Sequence, residues 1–187
     1  MKNINENILT IRWLERYSQL SDKVKNKIDL YENNVKQLKV IKKNRKYPEV
    51  GDIFKLISGD NLEINGVVIN NHINNINGDD LLVIALFKYK YEYSKVIKEG
   101  ISLNNLLLPP QIVGKEYWSE GFFNNIDHYN NINCDNYGFY SVGKQKIYDE
   151  YGNEIYNEPE LLGAFGVATI IGISMKINQE LIISEII

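Results

Sequence analysis

Two histidines, one cysteine and four prolines are spread over 187 residues. Each scarcity excludes something. With Cys134 as the only cysteine there is no intramolecular disulfide, which fits a reducing, cytosolic setting. Zinc sites need three or four closely arranged His, Cys or carboxylate ligands. His72 and His128 lie far apart, and the best cluster on offer, Asp127, His128 and Cys134, matches no metal-binding spacing. His72 stands just before a polar loop and reads as solvated. Asp79-Asp80 lacks the regular oxygen spacing of a calcium loop. No metal and no cofactor are expected.

Catalytic motifs are equally sparse. There is no Gly-x-Ser-x-Gly elbow, no phosphate loop and no dinucleotide fingerprint. Cys134 and His128 could be drawn as a nucleophile and base, but a lone intracellular cysteine is more often an inert, partly buried residue. The first seven residues carry neither an apolar core nor a small-residue cleavage site, so no leader is expected. The longest apolar run without charge, residues 161–175, is shorter than the ~18 to 20 residues of a membrane span. It is also interrupted by Gly163, Gly166 and Gly172, and it reads as a buried core segment.

What the chain does have is a charge split. Residues 1–50 hold 12 Lys+Arg against 6 Asp+Glu, and residues 51–187 hold 9 against 18. A basic arm is therefore expected on an acidic body. Such a body repels phosphate backbones and attracts basic partners, so nucleic acid is not an expected ligand.

The hydrophobic pattern predicts an α+β fold: an N-terminal helical segment, residues 1–46, followed by a twisted, mostly antiparallel sheet or partial barrel in residues 47–187. Residues 6–43 read as helical. Ser21 is a candidate N-cap, and Val24, Ile28, Tyr31, Val35 and Leu38 recur at intervals of 4, 3, 4 and 3. That face packs on its own domain or, as the alternative, mediates self-association. Pro48 ends the helical region. Gly51-Asp52-Ile53-Phe54-Lys55-Leu56-Ile57 reads as a strand, Ser58 to Asn61 as a turn, and residues 62–70 as a second strand bent at Gly66. Residues 74–80 read as a polar loop. Residues 81–87 form a buried strand that residues 88–93 continue with alternation. Pro109-Pro110 marks an extended connection, and Tyr137-Gly138-Phe139-Tyr140 another strand. Residues 149–153 form a hairpin turn between Ile147-Tyr148 and Ile155-Tyr156. Residues 173–187 suit either a helix or a terminal strand.

Candidate binding residues follow from charge and aromatics. Asp149, Glu150, Glu154, Glu158 and Glu160 fall within twelve residues that contain no Lys or Arg. Such a run is a solvated turn, or a docking patch that steers a basic partner, or, last, a general acid/base pair, since nothing in the sequence implies a pocket around it. Tyrosine occurs 13 times. Trp118 reads first as a core or groove residue and second as an interface anchor. With Glu120 beside it, it completes the candidate partner-binding set.

Several short motifs stand in a telling order. Tyr47-Pro48-Glu49-Val50-Gly51-Asp52-Ile53-Phe54 precedes Gly66-Val67-Val68-Ile69. Then come the apolar strand at residues 81–87, Leu108-Pro109-Pro110, Trp118 with Gly121, Tyr137-Gly138-Phe139 and Tyr151-Gly152-Asn153. In this order they resemble immunity protein 26, a bacterial family of polymorphic-toxin immunity proteins. The resemblance covers roughly residues 47–183 and leaves the helical arm as an addition. It implies an inhibitor that neutralises a cognate toxin inside the producing cell and offers no catalytic residues; the charge split adds the expectation that the acidic, aromatic-rich surface meets a basic toxin, such as a nuclease. Some relatives carry a phosphotriesterase label, but binuclear hydrolysis needs several His and acidic ligands, and two separated histidines do not supply them. The rival readings are a small hydrolase, including a ribonuclease with an SH3-like barrel, and a non-catalytic adaptor.

Overall fold

The computed structural model describes residues 7–32, 34–134 and 136–187. Residues 1–6, on which the expectation of no leader largely rests, lie outside them, as does Asn33 within the expected helical region.

Helix α1 (Ile8–Ser18) starts where Asn7 Oδ1 accepts from the backbone N–H groups of Leu9 and Thr10. Helix α2 (Asp22–Glu32) starts at Ser21, whose hydroxyl accepts from Val24 N–H at 3.4 Å. The expected helix is too long, because α2 stops at Glu32 and residues 34–46 run without helix. Lys39 N–H instead donates to Ile57 O at 2.9 Å, and Leu38 is buried in the main core. The spacing of Val35 and Leu38 is helical, but a short helix is marginal on its own and tertiary burial decides. Val24 and Ile28 do pack together on one face, against Ile182 near the C-terminus.

Strands β1 (Asp52–Ile57), β2 (Glu63–Asn75) and β3 (Gly78–Phe87) form a meander. Helix α3 (Tyr93–Glu99) leads to β4 (Leu106–Val113), and the short α4 (Glu116–Ser119) leads to β5 (Asn124–His128). These five strands make an antiparallel sheet in the order β4-β3-β2-β1-β5. A second sheet contains β6 (Tyr137–Ser141), β7 (Lys146–Tyr148), β8 (Glu154–Ile155) and β9 (Leu161–Ala164), in the order β8-β7-β6-β9. Its β6 and β9 run parallel. Helix α5 (Ile170–Ile183) closes the chain, so the ambiguous C-terminal stretch is helical, with Thr169 accepting from Gly172 N–H at its start.

Alternation along the strands sorts two cores. Phe54, Leu56, Val68, Leu82, Ile84 and Leu86 face α4 and α5. Ile53, Val67, Ala85 and Phe87 face the opposite way, onto Val96 of α3 and the partly buried Tyr129. The unbroken apolar run at residues 81–87 is thus explained by cover on both faces. Phe54 stacks on Phe123 at 4.4 Å between centroids and meets Trp118 edge-on at 5.3 Å.

Three further expectations change. Residues 88–93 do not extend β3. Lys90 turns the chain at positive φ, and Tyr93, Val96 and Ile97 carry the i, i+3, i+4 spacing of α3. Residues 74–80 form a tight hairpin rather than a loop. Pro109-Pro110 lies inside β4, an edge strand, where missing N–H donors are tolerated. Two glycines are obligatory. Gly51 has φ 95, and a Cβ there would lie 1.9 Å from Tyr129 O. Gly121 has φ 94, and its carbonyl accepts from Ile41 and Lys42, which fastens the arm's extended stretch to the body.

Candidate partner-binding surface

Two hairpin tips meet at one end of the molecule. Asn75 at the end of β2 donates its amide to Glu150 O at 2.8 Å in the β7–β8 turn. Asn70 Nδ2 donates to Glu150 Oε1 at 2.7 Å and to Tyr151 Oη at 3.0 Å. Tyr137 of β6 donates its hydroxyl to the same Glu150 oxygen at 2.6 Å. One carboxylate therefore ties β2, β6 and the β7–β8 turn together, and it is buried. Burial, and then the neighbouring Glu150 carboxylate, push the Tyr137 phenol well above the usual tyrosine range.

This internal network holds an exposed rim in place. Ile76 at the β2–β3 tip is 78% exposed, and Tyr156 just past β8 is 88% exposed. Tyr151 is also exposed, and Asp79 and Glu154 lie on the same two hairpins. Large side chains left in water, on turns fixed by hydrogen bonds, have the anatomy of a protein contact.

The structure separates the expected site residues. Asp149 caps the turn: Oδ1 accepts from the N–H groups of Tyr151 and Asn153, and Oδ2 from the Asn153 amide. Glu150 faces inward. Glu154 pairs with Lys146 at 2.6 Å, which raises the lysine pKa through that hydrogen bond. Glu158 pairs with Arg12 of α1. Trp118 is 1% exposed and belongs to the core under β1, and Glu120 is exposed at the end of α4. Neither belongs to the hairpin surface. Sequence reasoning missed Ile76, Asp79 and Tyr156. Ile76 was detectable as a lone apolar residue in a polar turn, and Tyr156 as an aromatic inside the acidic run.

The histidines take other roles. His128 Nδ1 lies 2.9 Å from Asp52 Oδ1, and Nε2 lies 3.2 Å from Asn130 Oδ1. Asp52 Oδ2 also accepts from Glu49 N–H and from the Asn125 amide, and Asn125 Oδ1 accepts from the Trp118 indole at 2.6 Å. The hydrogen bond to Asp52 raises the His128 pKa. His72, at φ 50, stacks under Tyr47 at 4.3 Å and bonds Asp80 at 2.8 Å. Burial lifts the Tyr47 phenol to about 12. Cys134 is half-buried and packs, like Tyr129, Ile132 and Tyr137, against the core that contains Ile53, Phe87 and Val96. Among the described residues, no three His, Cys, Asp or Glu side chains are grouped to hold a metal ion, and no helix is long and apolar enough to cross a membrane.

No protein-family model, no curated protein and no solved structure matches the chain. The resemblance to immunity protein 26 therefore rests on the order of its short motifs.

Proposed function

We propose that this protein is a cytosolic immunity protein that neutralises a basic protein toxin by stoichiometric binding. The observation that carries the reading is the pair of hairpins tied together by Asn75 and Glu150, one carrying the exposed Ile76 and Asp79 and the other the exposed Tyr151 and Tyr156. Aromatic and aliphatic anchors supply contact energy. The acidic body, with 18 Asp+Glu against 9 Lys+Arg, speeds encounter with a cationic partner. Glu150 holds the surface before the partner arrives, so little ordering entropy is lost on binding. The motif order from Gly51 to Asn153 supports the same reading. Co-expression with each toxic domain that a neighbouring gene is found to encode tests it: growth is restored if the reading holds, and toxicity is unrelieved if it fails.

A second reading, hydrolysis, rests on the Asp52–His128 pair, in which a carboxylate orients an imidazole that is 40% exposed. An RNA cleavage assay separates the two. Turnover that His128→Gln abolishes favours the hydrolase.

A further inference from the structure

Helix α1 roofs a cavity of 280 Å³ walled by Trp13, Leu108, Pro109, Leu162 and Lys176. Gln111, also on its wall, is almost fully buried. Its amide nitrogen donates to Pro109 O at 2.7 Å and to Pro110 O at 3.2 Å. That fixes its carbonyl oxygen toward Lys176, whose Nζ donates to it at 2.7 Å. Among the described residues no carboxylate pairs with this ammonium. Glu180, one turn further along α5, is taken by both guanidinium nitrogens of Arg16. Arg12, the other cation at the rim, is taken by Glu158. Lys176 therefore has spare N–H donors and an uncompensated charge, and withdrawal from water lowers its pKa.

One unmatched positive charge, held in place by an oriented amide, selects a single negative charge. Leu9, Trp13, Leu108, Pro109 and Leu162 make an apolar stretch of the wall, while the paired Arg16 and Glu180, with Arg12 and Gln179, make its polar side. The volume is at the small end of ligand cavities, which suits a molecule of about one ring. We propose that this cavity binds a small organic monoanion, a carboxylate on a compact apolar body, with the carboxylate on Lys176 Nζ and the body between Trp13 and Leu162. This site does not rest on the reading of the hairpin surface.

Benzoate is the probe, titrated into the full chain by calorimetry and by following the Trp13 indole cross-peak. Benzyl alcohol supplies the body without the charge, and inorganic phosphate the charge without the body. The expected result is that benzoate shifts the Trp13 indole and binds about tenfold or more tightly than either control. Lys176→Met keeps the aliphatic stem and removes the charge, so benzoate binding falls by about tenfold or more. Leu162→Trp fills the cavity and has the same effect, so the site stays testable if Lys176→Met does not fold. Benzoate binding no tighter than the controls, an unmoved Trp13 indole, or unchanged affinity in Leu162→Trp overturns the proposal.

Discussion

Arg16 grips Glu180 with both guanidinium nitrogens, Nη1 to Oε1 at 2.6 Å and Nη2 to Oε2 at 2.7 Å. The contact joins α1 to α5 across 164 positions of sequence and answers the charge split seen in composition. The basic arm lies on acidic residues of its own body: Arg12 pairs with Glu158, Arg16 with Glu180 and Lys36 with Asp60. Helix α1 has no buried residue, so the Arg12 and Arg16 pairs and the partly buried Trp13 and Tyr17 seat it.

The first prediction concerns this seat. Exposed ion pairs contribute about 0.2 to 1 kcal/mol each and weaken with salt. Replacing Arg12 and Arg16 together by Met lowers global stability by about 1 kcal/mol or less. It nevertheless raises amide exchange selectively across Ile8–Ser18, because α1 detaches while the body stays folded. Exchange mass spectrometry at low and high salt reads this. Uniform acceleration over the whole chain would contradict it.

The second concerns the Trp118–Asn125–Asp52 chain. Trp118 packs edge-on against the stacked Phe54 and Phe123, and its indole donates to Asn125. Trp118→Ala costs about 3 to 5 kcal/mol. Trp118→Phe keeps much of the volume but leaves Asn125 Oδ1 without its donor, at about 1 to 3 kcal/mol. Denaturant midpoints of the two variants give both figures, and a Trp118→Phe variant as stable as the native chain would mean that the hydrogen bond adds nothing.

A third follows from His128. Its pKa in the fold lies above the ordinary 6.5, chiefly through the bond to Asp52. Protonation therefore favours the folded state. The stabilisation is complete below about pH 6.5 and is lost as pH rises through the raised value. The stability gap between the native chain and His128→Gln is thus larger at about pH 5.5 than at about pH 8.5. A gap that stays constant or grows with pH has the wrong sign for this pairing.

The fourth concerns Glu150, where Tyr137 and Asn70 converge. Tyr137→Phe leaves a buried carboxylate with one donor fewer and costs about 1 to 3 kcal/mol. The same substitution loosens the β7–β8 turn, which broadens the resonances of Tyr151 and Gly152. Sharp, unshifted resonances there would separate Glu150 from the positioning of the rim.

Much of the architecture was legible in the sequence. The strands at Asp52–Ile57 and Tyr137–Ser141, the β7–β8 hairpin and the two N-terminal helices follow from alternation, turn residues and caps. Where local pattern and tertiary burial disagree, burial prevails, as at Leu38, which keeps a helical spacing yet enters the main core. The site was only half legible. Charge located the β7–β8 hairpin, but a linear sequence cannot tell which carboxylates are used internally. Asp149 is consumed by its own turn and Glu150 by Tyr137 and Asn70, whereas Asp79 and Ile76 arrive from a hairpin some seventy positions away.

The central claim is tested most directly by affinity at the hairpin surface. Ile76→Asp, Asp79→Lys, Glu154→Lys and Tyr156→Asp are combined in one variant, which leaves Asp149 and Glu150 in place so that the turns survive. Binding of the purified chain to the toxic domain whose growth arrest it relieves on co-expression is then measured by calorimetry, with thermal melting as the control for folding. The account predicts a one-to-one complex for the native chain and an affinity about 30-fold or more weaker for a folded variant. An unchanged affinity in a folded variant, or no complex with the native chain, contradicts it.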